Sequence, residues 1–387
     1  MLDRGMGLSV VVSSYNYGQY LRTAIDSALA LACAPLQVIV VDDGSTDGSI
    51  DIIKSYGDRI EPLFQTNQGQ IASCAAGLRL CRHDIVIFLD SDDRLEPFAA
   101  REIMALWTSE TVKVQYALQA IDSDGQLVNT VFPKYPHGLT PSAIRAELFR
   151  AGVYPATTTS GTAFSRDFLT KVMPIPPEYD CDIDDALNAV APLHGDVQTL
   201  RKTLGQYRVH DRNTSAHSEL TADRFERYAQ DSKERLRYLR DSCERLGFEL
   251  PDDVMRNDLA YWESKVAAAV MKPERRLGLL LPTLRAAFGS ILDPGQRMMH
   301  ATWSAALILL PRPMARHLLA QRFIFNKRSR IVELLLQGVW RLGRLTARIR
   351  GRSQPAETPR PRQIAASARS TCLPMAVVAK GNDDARV

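Results

Sequence analysis

Cysteine is scarce in this chain: six residues among 387, at positions 33, 74, 81, 181, 243 and 372, with no Cys-x-x-Cys pair. That excludes a disulfide-dense scaffold and argues against a zinc ribbon or redox dithiol. Reduced thiols in a cytoplasmic compartment are the expectation. Long apolar runs are missing too: no stretch reaches the roughly 18–20 residues that a membrane-spanning helix needs. The segment from Met1 to Gly7 carries one acid and one base and leads quickly to polar Ser13 and Ser14, which is not a secretory-signal pattern. Glycine (22) and proline (21) are too few for a collagen-like chain, and 45% hydrophobic residues are too many for a disordered one. What remains is a globular protein of one large or two modest domains.

A net charge of +4 hides an uneven distribution. Residues 1–215 hold 18 Lys and Arg against 26 Asp and Glu, a net of −8, whereas residues 216–387 hold 30 against 18, a net of +12. An acidic half suits cation binding, and a basic half suits phosphates on nucleic acid or on a membrane surface.

The acidic half reads as alternating strands and helices. Leu8 to Ser13, Leu36 to Val41 and Asp84 to Leu89 are short, uniformly apolar runs, each stopped by a polar block. Tyr20 to Leu31 places Leu21, Ile25, Ala28 and Leu29 on one helical face. Thr46 to Tyr56 reads as a helix capped by Ser45 or Thr46, and Ile60 to Leu80 as a further strand and helix. A helix follows Pro97, and two strands flank the turn Asp122-Ser-Asp-Gly125. Residues 133–160 are expected to be irregular and to form an acceptor-side loop. The fold class is therefore α/β, with a largely parallel sheet covered on both faces. Such sheets bind ligands beyond the C-terminal ends of their strands, where Ser13 to Tyr15, Asp42-Asp43 and Asp90 to Asp93 lie.

Asp90, Asp92 and Asp93 are close enough to repel one another, so they need a cation or many hydrogen bonds. Their hard oxygens suit Mg²⁺ or Mn²⁺ with phosphate oxygens and water completing the shell. A solvated turn ahead of a helix cap is the alternative. Asp43 has two readings likewise, a hydrogen-bond acceptor for a nucleobase or a cap, and Tyr15 is either a stacking platform or a surface aromatic.

Taken in order, Ser9-Val-Val-Val-Ser-Ser-Tyr-Asn16, Val40-Val-Asp-Asp-Gly-Ser-Thr-Asp47, Asn67-Gln-Gly-Gln70 and Phe88-Leu-Asp-Ser-Asp-Asp93 resemble the blocks of family-2 glycosyltransferases with the GT-A fold. The similarity covers roughly residues 8–215 and is closest to the bacterial type with a basic, helical C-terminal extension. It implies a mixed, mostly parallel sheet, a nucleotide-sugar donor, a divalent metal on its pyrophosphate, and transfer with inversion. By position, Ser13, Tyr15 and Asp43 look like nucleotide contacts, and Asp90 and Asp92 match the family's DxD element with Asp93 beside it. The resemblance also requires a general base among Asp180, Asp182, Asp184 and Asp185. Asp184 is the choice, because it opens an Asp-x-x-Leu pattern into a helix, whose dipole is expected to lower its pKa. Tyr207-Arg-Val-His210 resembles the closing Tyr-Arg-x-His element; on a strand, Arg208 and His210 share a face and meet the diphosphate or the metal. Ala75, where relatives commonly carry Asn, and Thr162, which replaces a frequent Asn, depart from the pattern.

The organisation expected is a GT-A domain over 1–215, a helical basic region over 216–352 and a disordered tail over 353–387. Residues 220–248 form a charged helix with Phe225, Tyr228, Leu236, Leu239 and Cys243 as its packing stripe. Trp303 to Leu310 is apolar but is halted by Pro311. Arg330 to Arg350 interleaves leucines and Trp340 with arginines, a composition suited either to an anionic membrane surface or to an ordinary bundle helix. A saccharide, lipid-linked or other hydroxyl acceptor would suit peripheral attachment to the inner face of the cell membrane. Nucleic acid is not expected, for no recognition motif accompanies the charge. Two rival functions are a sugar-phosphate nucleotidyltransferase and a non-catalytic nucleotide-sugar-binding module. Against the first, Ser13 to Gly18 lacks the basic residue its phosphate loop needs.

Overall fold

The computed structural model describes residues 6–210, 213 and 220–323. The basic segment 330–350 and the tail from 353 lie outside the described residues. Nine strands form one sheet: β1 Leu8–Ser14, β2 Leu36–Asp42, β3 Glu61–Phe64, β4 Ile85–Asp90, β5 Arg94–Leu95, β6 Thr111–Ile121, β7 Leu127–Phe132, β8 Thr162–Ser165 and β9 Asp196–Arg208. Their order is β3-β2-β1-β4-β8-β6-β9-β5, with β7 paired to β6 as a hairpin. The first four neighbours run parallel, and β8 and β6 continue the sheet antiparallel, so the sheet is mixed.

Register explains why the polar blocks converge. β1 is central; it sets Ser14 level with Asp42 on one side and Ser13 level with Asp90 on the other. Each strand is mostly apolar up to its last one or two residues, so the polar residues that end all three strands line up along one rim.

Alternation along the strands feeds two cores. Val11, Ile39, Val41 and Phe88 face one layer, and Val10, Val12, Val40 and Ile87 face the other. The second layer is closed by α1 (Gly18–Leu29), α2 (Ser49–Lys54) and, further along the chain, α4 (Ala99–Met104). The first is closed by α3 (Gln70–Leu80), α5 (Pro141–Ala151), α6 (Arg166–Val172) and α7 (Ile183–His194). Gly77 lets α3 lie close on β1, where an added Cβ would meet Val11 Cγ1 at 2.3 Å.

Two local expectations change. The helix expected from Thr46 begins only at Ser49, because Ser45, Thr46 and Asp47 are used elsewhere: the Asn16 amide donates to Ser45 Oγ, the Thr46 amide to Asn16 Oδ1 and the Gly18 amide to Asp47 Oδ2, each within 2.9 Å. These bonds stitch the loop after β2 to the loop after β1. Residues 133–160 are not wholly irregular either. They contain α5, started by Thr140, whose side chain accepts the Ala143 amide, and stopped by Gly152 at φ +68°.

The helical region follows as α8 (Ala222–Leu246), α9 (Leu259–Met271), α10 (Leu280–Gly289), α11 (Pro294–Leu309) and α12 (Arg312–Phe323). Tyr238, Leu239 and Cys243 of α8 join the same core as α7, while Phe225 at its start packs with Val266 of α9 and Trp303 of α11. Buried Arg235 of α8 reaches Asp258 at 2.6 Å and Asp185 of α7 at 3.6 Å. Among the described residues, no helix is long and apolar enough to cross a membrane.

Candidate active site

A cleft of about 480 Å³ opens at the C-terminal rim of the parallel strands. Ser13, Ser14 and Tyr15 leave β1 into it, Asp43 follows β2, Asn67 to Gln70 lead into α3, and Asp90 to Asp92 leave β4. Thr158, Asp182, Asp184, Tyr207 and Asn213 close its other side. Six expected residues, Ser13, Tyr15, Asp43, Asp90, Asp92 and Asp184, are thus gathered from four distant stretches of chain.

One oxygen each of Asp90, Asp92 and Asp93 lie within 4.8 Å of one another. Burial, and then the charge of Asp92, hold the carboxyls of Asp90 and Asp93 well above the usual carboxylate range. Such a cluster is costly as anions and suits a hard divalent cation. Part of its hydrogen bonding is met: Gln70 Nε2 donates to Asp90 Oδ1 at 2.7 Å, the Asp90 amide donates to Ser160 Oγ at 3.1 Å, and the Arg208 amide donates to Asp93 Oδ1 at 2.8 Å. Asp93 Oδ2 is buried without a hydrogen-bond partner. The donor set and this orphan oxygen fit a Mg²⁺ or Mn²⁺ ion.

Asp184 occupies the first turn of α7, where Asp182 is the N-cap residue. Its Oδ1 accepts the Thr159 amide at 2.7 Å. Its pKa is pushed up to about 7, first by burial and also by Asp185 and Asp182. The direction is opposite to the one expected from the helix dipole: burial outweighs the bond from Thr159.

Three expected residues have partners in the fold that the sequence did not reveal. Asp43 lines the cleft, but its carboxylate accepts Gln65 Nε2, the Gln68 amide and the Gly69 amide at 2.7–2.9 Å, so it shapes the loop into α3. Arg208 ends β9 and turns inward; Nε donates to the Asp92 carbonyl and Nη1 to the carbonyls of Asp122 and Ser123, with the guanidinium 4.5 Å from the Tyr20 ring. Those bonds brace the hairpin turn against the rim. His210 lies past the end of β9, so the shared strand face does not arise. Its Nε2 meets Asp92 Oδ2 at 3.0 Å, and its ring packs on Tyr20 and Tyr17 with centroids 5.1 and 5.5 Å away. It touches the acidic cluster through Asp92.

Sequence reasoning did not single out Thr158, whose Oγ1 is buried without a hydrogen-bond partner beside the cleft. Nor did it find Thr159 or Ser160, which hold Asp184 and Asp90. The run of three threonines and a serine, Thr157 to Ser160, was the available signal.

A sequence model of "Glycosyl transferase family 2" matches residues 9–171. An uncharacterized glycosyltransferase of Nostoc sp. is 33% identical over 270 residues, which are 67% of this chain and 82% of that protein. The chain is a family-2 glycosyltransferase. The "Putative glycosyltransferase EpsH" of Bacillus subtilis is 30% identical over 133 residues, 33% of this family-2 chain and 39% of EpsH. Among solved structures, Staphylococcus aureus TarS 1–349 in complex with UDP-GlcNAc is 16% identical with a TM-score of 0.49, covering 82% of this chain and 92% of that one. A Pyrobaculum calidifontis mannosyltransferase in complex with GDP-Man and Mn²⁺ is also 16% identical, with a TM-score of 0.45 and 87% and 86% covered. Membership of family 2, with the mixed sheet and the helices that follow it, agrees with the expected GT-A fold and helical C-terminal region, and the protein is a transferase.

Proposed function

We propose that this glycosyltransferase moves a sugar from a nucleotide-diphosphate donor to an acceptor hydroxyl with inversion, assisted by Mg²⁺ or Mn²⁺. The observation that carries the reading is the meeting, in one cleft, of a repelling carboxylate cluster and a separate carboxyl that titrates near neutral pH. Asp90, Asp92 and Asp93 would hold the ion, with His210 steadying Asp92. When bound, the ion supplies positive charge to the departing nucleoside diphosphate. Ser13 and Tyr15, beside the loop shaped by Asp43, would hold the nucleotide. Asp184 would take the proton from the acceptor hydroxyl; a base with a pKa near the working pH balances ionised fraction against proton affinity.

Polysaccharide or glycoconjugate synthesis with a saccharide or lipid-linked acceptor, in the cytoplasm, suits this chemistry. Attachment to an anionic membrane is supported only by the composition of residues 330–350. Co-sedimentation with anionic but not neutral vesicles is its test.

The decisive experiment for the main reading is a thermal-shift screen of nucleoside diphosphates and their sugar conjugates, followed by donor turnover. A nucleotide that binds the native state raises the melting temperature by mass action, and Mn²⁺ should enlarge that rise. Asp92→Ala should abolish the enlargement. Asp184→Asn should keep nucleotide binding and lose roughly 10²–10⁴-fold in turnover. Full turnover by Asp184→Asn would remove Asp184 from its role.

A further inference from the structure

Lys113 puts an amine where the fold has little use for one. It lies on β6, fully buried at 0% exposure, and lysine is almost never found so. Its Nζ donates to Tyr154 Oη at 3.2 Å and to Asn188 Oδ1, and it stands 5.2 Å from the centre of the Tyr154 ring. Its contacts are a phenol and an amide, and no carboxylate touches it in these bonds.

We infer that Lys113 is a positioning residue for Asp184, acting through Asn188 and the segment Thr157–Thr159; the inference rests on the assignment of Asp184 as the base. An ammonium has three donors and no acceptor. Asn188 must therefore turn its carbonyl to Lys113, and its Nδ2 is forced the other way, where it donates to the Thr157 carbonyl at 3.1 Å. Asn188 is one helical turn beyond Asp184 on α7, so both face the same segment. At the segment's other end, the Thr159 amide donates to Asp184 Oδ1. The three-residue stretch is thus clipped to α7 at both ends, with Thr158 between them on the cleft. Cutting the Asn188 clip leaves the Thr159 amide, and with it the orientation of the Asp184 carboxylate, held at one end only. Asp184 also acts on the buried amine directly, opposing the fall of the Lys113 pKa to about 7 that burial causes.

The test compares the full-length wild type with Lys113→Met and Asn188→Leu. Amide hydrogen exchange is followed over peptides spanning 155–161, and donor turnover is measured beside it. Both variants should speed exchange at Thr157–Thr159 by about tenfold or more, and lower kcat by a similar factor while leaving KM for the donor unchanged. Asn188→Leu keeps the lysine in place, so it decides the matter if Lys113→Met loses its cooperative melt. Unchanged exchange in the folded variants overturns the inference, and so does faster exchange with wild-type kcat. A wild-type protein that consumes no donor sinks the assignment of Asp184 and not the clip, which the exchange rates judge separately.

Discussion

At Asp184 two opposing effects meet on one carboxyl. The first turn of α7 favours its anion, burial among other acids favours its proton, and the outcome near 7 shows that burial is the larger. In its proposed role as base Asp184 acts as a carboxylate, so kcat should climb as pH rises through about 7 and then level off; a rate flat from pH 5 to pH 8 would contradict this. Stability should run the other way. The native state binds this proton more tightly than the unfolded chain, whose aspartates titrate at about 3.9, so native stability falls as pH rises from there to about 7. Asp184→Asn removes that loss while keeping an oxygen for the Thr159 amide. It should therefore melt above the wild type at pH 8, with a smaller gap at pH 5, as calorimetry would show. The place of Ser13, Tyr15, Asp90, Asp92 and Asp184 at the cleft was legible from sequence because each stands at or just past the end of a strand, or at a helix start. Lys113 and Asn188 were not, because their role depends on a contact between residues 75 positions apart.

Strands were easier to foresee than helices, for a physical reason. β1, β2 and β4 are buried on both faces, so their sequences are mostly apolar runs, interrupted only by Ser9 and Gln37 before the polar rim. α5 was missed because the Pro, Thr and Ser around it looked like a loop, although Thr140-Pro141 and Gly152 are start and stop signals. It buries Ile144 and Leu148 completely. Leu148→Ala should cost roughly 2–5 kcal/mol in chemical denaturation, the range for emptying a packed leucine site. A cost below about 0.5 kcal/mol would mean that α5 is marginal to the fold. Arg208 and His210 illustrate the limit of strand periodicity. β9 stops at Arg208, so the alternation that would have aligned the two residues ends between them.

Across the whole molecule, the helical region is joined to the catalytic half by chemistry as well as by packing. Arg235 of α8 is buried between Asp185, next to the candidate base, and Asp258, which caps α9 through the Tyr261 amide. Arg235→Met should destabilise the protein by about 3–5 kcal/mol, because it leaves two acids without their cation. The urea midpoint reads this directly, and an unchanged midpoint would show that the pairing is idle. The bonds that stitch Asn16 and Gly18 to Ser45, Thr46 and Asp47 have a consequence of another kind. They fasten together the loops after β1 and β2 at the proposed donor cleft before any donor arrives, so entry of a nucleotide there would leave little chain to freeze. Calorimetric titration should then show a modest entropic penalty, and Asn16→Ala should enlarge it, turning a ready-made socket into one that each guest must assemble for itself.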